Sequence, residues 1–255
     1  LREVGYIALN TYRETVRDKV LYNLVLFALL MISSSYVLGK ISVYQEVKII
    51  KDLGLASISA FGMVIAIFIG IGLVSKEIDK RTLYSLLPKP ISRVQFLLGK
   101  YFGLCLTLLV NVLVMTAGLY GLLFLMAEPF EPALLKAVFL IYVKLVVLVA
   151  VALLFSTFTS ALMAALFTGF VYVAGYFSAD LKHFDSVVES TVLPQITLFL
   201  YYLLPNFKNF DIKAPIVAGD PVAFGQIAFA SAYAVVYIAL LLVTSAWVFQ
   251  HRNLK

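Results

Sequence analysis

Few residues in this chain could do chemistry, and most of those are charged. His183 and His251 lie far apart, and neither has a partner at metal-ligand spacing. Cys105 is the one cysteine and sits in an apolar run, so it offers no intramolecular disulfide and no cysteine-based metal site. No Gly-x-x-x-x-Gly-Lys-Ser/Thr loop is present to cradle phosphates. Gly99-Lys100 lacks the upstream glycine and the following hydroxyl, and Gly70 and Gly72 lie inside an apolar run. A membrane-embedded metalloprotease or serine enzyme would need a His or Asp cluster that the sequence lacks, so the chain is not read as an enzyme and carries no cofactor or metal of its own. What remains is ionic recognition. Residues 75–100, SKEIDKRTLYSLLPKPISRVQFLLGK, hold six basic residues, two acids and two prolines between long apolar stretches. Lys144 is the one charge deep within such a stretch.

The elements that must position these charges are set by composition. Of 255 residues, 62% are apolar and 13% charged, more apolar than a soluble core requires. About 20 apolar residues in helix cross about 30 Å of hydrocarbon. Six such runs are predicted: 20–38, 53–74, from Phe96 or Tyr101 to 127, 133–155, from the short break STFTS to 178, and 224–249. Residues 1–19 place Val4, Ile7, Ala8, Tyr12 and Val16 at roughly helical spacing, which predicts an amphipathic helix along the membrane surface; a plain solvated leader is the other reading. Seven charges of both signs in those residues, and the long run that follows, are unlike a cleaved signal. Between spans five and six, residues 179–223 form the longest non-spanning region. Its stretch 187–204 is broken by Glu189 and Pro194 and is expected to dip into the membrane and return, or to lie on its surface. The fold class expected is all-α integral membrane, with 1–255 as one membrane domain.

Six spans put both termini on one side. Lys and Arg number twelve on that side and seven on the other, which predicts that the termini and residues 75–93 are cytoplasmic. The net charge of +6 is accounted for in this way, and nucleic acid is not an expected partner.

Ser75 could cap a helix with Glu77 and Asp79 in its first turn, Leu83, Leu86 and Leu87 on one edge and Pro88 at its end. Pro90 delays the next helix and Ser92 caps it. A short helix of this kind needs a lipid surface or a protein partner to cover its leucines. The residues alone leave that reading level with an ordinary basic loop that only sets topology.

SKEIDKRTLYSLLPKPISRVQFLLGKYFG resembles the central signature of permease subunits of ATP-binding-cassette type-2 transporters. The matching residues are Glu77, Thr82, Leu86-Leu87, Pro90, Ser92-Arg93 and Gly99-Lys100. IALNTYRETVRDKVLYNLVLF resembles the family's surface elbow helix and first span. YLLPNFKNFDI and the closing FQHRNLK are also similar. The family often has Gly or a second acid near Arg81, and the DKRT found here is more basic. The resemblance implies a dimer of permease chains, most simply a homodimer, in a bacterial inner membrane. Two separate ATP-binding subunits, which bind ATP and Mg, would dock beneath it. It implies that the segment between spans two and three is a coupling helix, that Glu77, Lys80, Arg81 and Leu86 touch the ATPase, that Pro88 and Pro90 shape the turn, and that Arg93 anchors the base of the third span. It also implies re-entrant helices between spans five and six, and export as the direction of transport.

Within the spans, Lys144 is either a substrate-path or acid-pairing residue, or it marks a later start of the fourth span or a snorkelling side chain. Asn111 and Asn23 are expected to hydrogen-bond between helices. Ala161, Ala165 and Gly169, four apart, form a small-residue stripe for close helix approach, at a dimer interface or within the chain. Two rivals stay open. A cassette complex doing mechanical or signalling work often carries a large outer domain, and an ion-driven transporter predicts inverted repeats that are not seen here.

Overall fold

The computed structural model describes residues 2–41, 45–79, 92–181, 198 and 201–251. Within them the chain is helical, with no strand: α1 (Arg2–Val16), α2 (Lys19–Ile41), α3 (Glu46–Asp79), α4 (Arg93–Leu125), α5 (Pro132–Phe158), α6 (Ala161–Leu181), a 3-10 turn (Phe207–Phe210), α7 (Lys213–Ala218) and α8 (Phe224–His251). Six of these, α2 to α6 and α8, are long and apolar enough to cross a membrane.

α5 is apolar on every face, as a helix at the centre of a bundle must be. It packs against α3, α4, α6 and α8. Its Leu140, Leu145, Val147, Leu148 and Leu153 are fully buried. α3 lies closest along it because α3 withdraws side chains where α5 projects them. A Cβ on Gly62 would come within 2.5 Å of Leu145 Cδ1, and one on Gly70 within 2.5 Å of Ala152 Cβ. In lipid, where apolar surface alone does not drive helices together, such close approach supplies the packing. Outward faces of α2, α6 and α8 keep large apolar side chains such as Phe27, Phe170 and Val243 exposed, as lipid-facing helices do.

The ends of the bundle are tied differently. At one end, Lys40 reaches Glu46 at 2.9 Å across the α2–α3 connection, Lys51 pairs with Glu131, and Tyr120 Oη donates to the Glu131 carbonyl at 2.8 Å. The same end carries the 3-10 turn and α7, which pack on α3, α5 and α6. Gly219 closes α7 at φ +86°, a left-handed conformation that only glycine adopts readily, and its N–H donates to the Ile216 carbonyl at 3.1 Å. The opposite end gathers α1, the start of α4 and the end of α8.

Three expected boundaries are corrected. The second span begins at Glu46 rather than near Leu53, because 46–52 continue the helix and spend their charges on the Lys40 and Lys51 pairs. The third begins at Arg93 rather than near Phe96 or Tyr101, with Ser92 as the expected cap: Ser92 Oγ accepts from the Gln95 N–H at 3.2 Å and Gln95 Oε1 from the Ser92 N–H at 3.1 Å. Ser75 starts no new helix. α3 runs through it unbroken to Asp79, since nothing between Val74 and Asp79 is a glycine or proline able to stop it.

Candidate functional site

Two constellations of polar groups stand out from the apolar bundle. The first is built on the first three turns of α4. Gly99 and Gly103 fall four apart, on one face, and α1 lies in the groove they leave. A Cβ on Gly99 would meet Ile7 Cβ at 2.6 Å, and one on Gly103 would meet the Ala8 carbonyl oxygen and Thr11 Cβ at 2.6 Å. The contacting face of α1 holds the expected Val4, Ile7, Ala8, Tyr12 and Val16, half-buried, and adds Thr11 and Thr15, which are buried outright. Thr15 turns its hydroxyl inward to the Thr11 carbonyl at 2.7 Å, which gives the buried hydroxyl the partner that water would otherwise supply.

Charges fix the same turns. Lys100 is 3% exposed; its ammonium lies 3.8 Å from Glu14 Oε2 on α1 and 5.5 Å from the Phe96 ring centroid. Arg93 Nη1 donates to the carbonyls of Phe249 at 3.0 Å and Gln250 at 3.1 Å. Those carbonyls belong to the last turn of α8, where acceptors lack intrahelical donors and the helix dipole is negative. The Arg93 guanidinium also sits 5.9 Å from the Phe249 ring, which stacks on Phe96 at 6.5 Å. So the first helix and the last spanning helix are both held by the start of α4.

The second constellation surrounds Lys144. Twelve residues into α5, it lies about 18 Å along the helix. It is 1% exposed, enclosed by the bundle. Its Nζ donates to Ser59 Oγ of α3 at 2.7 Å and to Tyr176 Oη of α6 at 2.8 Å. The ring centroids of Tyr172 and Tyr176 lie at 5.7 and 5.3 Å. These bonds go to neutral hydroxyls and aromatic faces, which offset part of the cost of placing an ammonium in hydrocarbon. Above them lies Phe207 of the 3-10 turn, fully buried, with its ring 5.3 Å from Tyr172 and 6.3 Å from Tyr176. Gly175 makes room for it, since a Cβ there would strike Pro205 O at 2.5 Å and Phe207 Cδ2 at 2.6 Å. One lysine thus joins three spans beneath a cap from the connecting region.

A family model described as ABC-2 family transporter protein matches residues 6–254. The chain belongs to the ABC-2 transporter family. A comparison with curated proteins finds no match. The resemblance seen in the sequence is therefore a membership, and the chain is a membrane-spanning permease subunit of an ABC transporter, a type that works with an ATP-binding partner.

In the permease, the expected coupling residues Lys80, Arg81, Thr82, Leu86, Pro88 and Pro90 lie outside the described residues, as does most of 187–204. Glu77 lies on the last described turn of α3. Asn111 departs from expectation: its Nδ2 donates to the Thr107 carbonyl of its own helix at 2.8 Å, a bond along α4 in place of one between helices. Asn23 is exposed. The stripe of Ala161, Ala165 and Gly169 makes no close helix contact within the chain: Ala161 and Ala165 line an open cleft beside α2 and α3. Ala161 is exposed, and a Cβ on Gly169 would meet nothing within 4 Å, while α6 buries Ala164, Thr168 and Ser178 instead. Sequence reasoning passed over Gly103, Thr11, Thr15, Ser59 and the Tyr172–Tyr176 pair. The four-residue glycine spacing in GKYFG was the signal for the first of these; hydroxyls scattered on separate helices gave none for the rest.

Proposed function

We propose that this permease is the membrane half of an ATP-driven exporter. Residues 75–93 engage a separate ATP-binding subunit, and α4 relays its motion. The observation that supports this reading most is the junction at Arg93. The chain leaves the charged segment and enters, within one helical turn, a helix start bonded to the end of α8 and, a turn or two further on, to α1. A push on residues 75–92 is then a push on three helices at once. On this reading Glu77, Lys80, Arg81, Thr82 and Leu86 meet the ATPase, Pro88 and Pro90 set the turn, and both termini are cytoplasmic in a bacterial inner membrane. Two permease copies pair with two ATPase subunits that hold ATP and Mg. Lys144 lies on the path opened between α3, α5 and α6, and the stripe at Ala161, Ala165 and Gly169 is read as a helix-packing face, for the second copy or within the chain.

The test is purification of the tagged chain in mild detergent with its partners identified by mass spectrometry. An ATPase bearing a phosphate-binding loop is expected to co-purify, and E77K or R81E is expected to release it. Recovery of the chain alone, or an ATPase that stays bound to both variants, would sink the coupling reading.

A further inference from the structure

The outward face of α1 has no partner among the described residues. Val4, Ile7, Ala8 and Thr11 are turned into the glycine groove of α4. The other side carries Arg2, Tyr6, Leu9, Arg13 and, one residue past the helix, Arg17, all exposed. Their spacings of four, three, four and four keep them on one stripe. Among the described residues, none of these three arginines has a hydrogen bond or an ion pair. The acids nearest Arg13 and Arg17 are engaged elsewhere. Glu14 Oε2 lies 3.8 Å from the Lys100 ammonium, and Asp18 Oδ1 caps α2 by accepting the Val20 N–H at 3.0 Å. An amphipathic helix lying on lipid would turn its apolar side outward. α1 spends that side on α4 and presents guanidinium groups instead.

Position and charge together identify an occupant. α2 is a candidate span from Lys19 onward, so Arg13 and Arg17 precede the hydrocarbon by less than two helical turns. Exposed Val20 and Tyr22 carry the same corner into lipid, with the tyrosine at head-group level. Arg13 and Arg17 stand about 6 Å apart along the helix, close enough to share one phosphate. A guanidinium fork meets a phosphate through two parallel N–H···O bonds. A zwitterionic head would bring its own ammonium against these arginines, and an anionic head does not. We propose that Arg13 and Arg17 hold the phosphate of one anionic phospholipid at the corner between α1 and α2. The lipid stays on the outside of the bundle as a fixed neighbour and is not cargo. Arg2 lies about 17 Å from Arg13 along the axis and does not share that head group. This site goes beyond ATPase coupling and depends neither on it nor on the direction of transport.

Trp247 is the one tryptophan of the chain and lies exposed near the end of α8, at the same end of the bundle. The full chain, in nanodiscs of mixed phosphatidylcholine and phosphatidylglycerol, is read by fluorescence quenching with one lipid or the other brominated in its tails. V20W with W247F reports the lipid beside Arg17, and the native Trp247 reports lipid elsewhere around the bundle. Phosphatidylglycerol is expected to be favoured at V20W by about fivefold, the worth of about one basic residue near an anionic surface, with no preference at Trp247. Adding R13Q and R17Q is expected to erase the preference, and R2Q to leave it unchanged. Should the double variant fail to fold, R13K with R17K, which keeps the charge and loses the fork, is expected to reduce it. Equal quenching by both lipids, the same preference at Trp247, a preference that survives the Arg13 and Arg17 variants, or one that R2Q removes would overturn the proposal. So would its reversal by free glycerol phosphate, which would make this a site for a soluble phosphate. Its loss when the ATPase subunit is bound would overturn it too, since that subunit and not lipid would then cover the face.

Discussion

Arg93 donates from one nitrogen to the carbonyl of Phe249 at 3.0 Å, joining the first residue of α4 to the last turn of α8 across 156 positions of sequence. The pairing explains why an arginine, rather than any basic residue, suits that place. One nitrogen of its planar guanidinium serves both adjacent carbonyls of the helix end while the group lies near the Phe249 ring. R93A is expected to lower stability by about 1.5–3 kcal/mol, the usual worth of hydrogen bonds to a charged group, read as a lower melting temperature in detergent. R93K should fall between. In the assembled transporter R93A should lose stimulation of ATP hydrolysis more than it loses ATPase binding. Equal loss of both would mean the residue only holds the docking segment in shape.

The glycines of α4 should separate by what they face. G103A must push against the backbone carbonyl of Ala8 and the side chain of Thr11, and is expected to cost about 1–3 kcal/mol as overpacking does. G121A meets nothing within 4 Å and should stabilise by about 0.5–1 kcal/mol through helix propensity. Thermal unfolding of the two variants side by side decides the matter, and a cysteine at Thr11 should gain reactivity in G103A alone.

The Lys144 cluster makes a prediction about coupling between substitutions. S59A or Y176F alone removes an acceptor from a buried ammonium and should cost about 1–3 kcal/mol. In a K144M background, with no ammonium to satisfy, the same changes should cost far less. K144M itself should be near neutral for stability, because an apolar side chain of similar length needs no partner. A double-mutant cycle on thermal stability measures the difference. Additive costs would show that the hydroxyls serve something other than the lysine.

Ala127 turns the chain after α4 at φ +59°, with the Glu128 N–H bonded to the Leu123 carbonyl at 3.1 Å. A residue with a Cβ is strained there by about 1–2 kcal/mol. A127G should therefore raise the melting temperature, although glycine weakens most other positions in a helical protein. A lower melting temperature would show that the alanine methyl packs to better effect than the strain costs.

Spans were legible because twenty apolar residues leave little choice in lipid, and Ser92 was legible because its capping box is local in sequence. The face of α1 could be read from its apolar spacing, but not its threonines: a buried Thr15 depends on a bond to its own helix, which composition hides. The start of α3 was missed for a related reason. Lys48, Lys51 and Asp52 look like loop residues until Glu131, eighty positions away from Lys51, comes alongside. Lys144 announced itself as unusual, yet its partners come from α3 and α6 as serine and tyrosine, residues too common in such helices to be singled out.

The unbroken course of α3 has a consequence for how the two faces of the membrane communicate. Its 34 residues make a rod of about 51 Å, well beyond the roughly 30 Å of hydrocarbon. One tip is gripped at Lys51 by Glu131, and the other carries Glu77. With no proline or glycine break near its far end, such a helix carries a displacement of one tip toward the other. Binding free energies coupled in this way act equally in both directions. With an ATP-binding subunit docked after α3 as proposed, a binder seated on the Lys51–Glu131 tip should alter its nucleotide affinity by the same factor as nucleotide alters the binder's own.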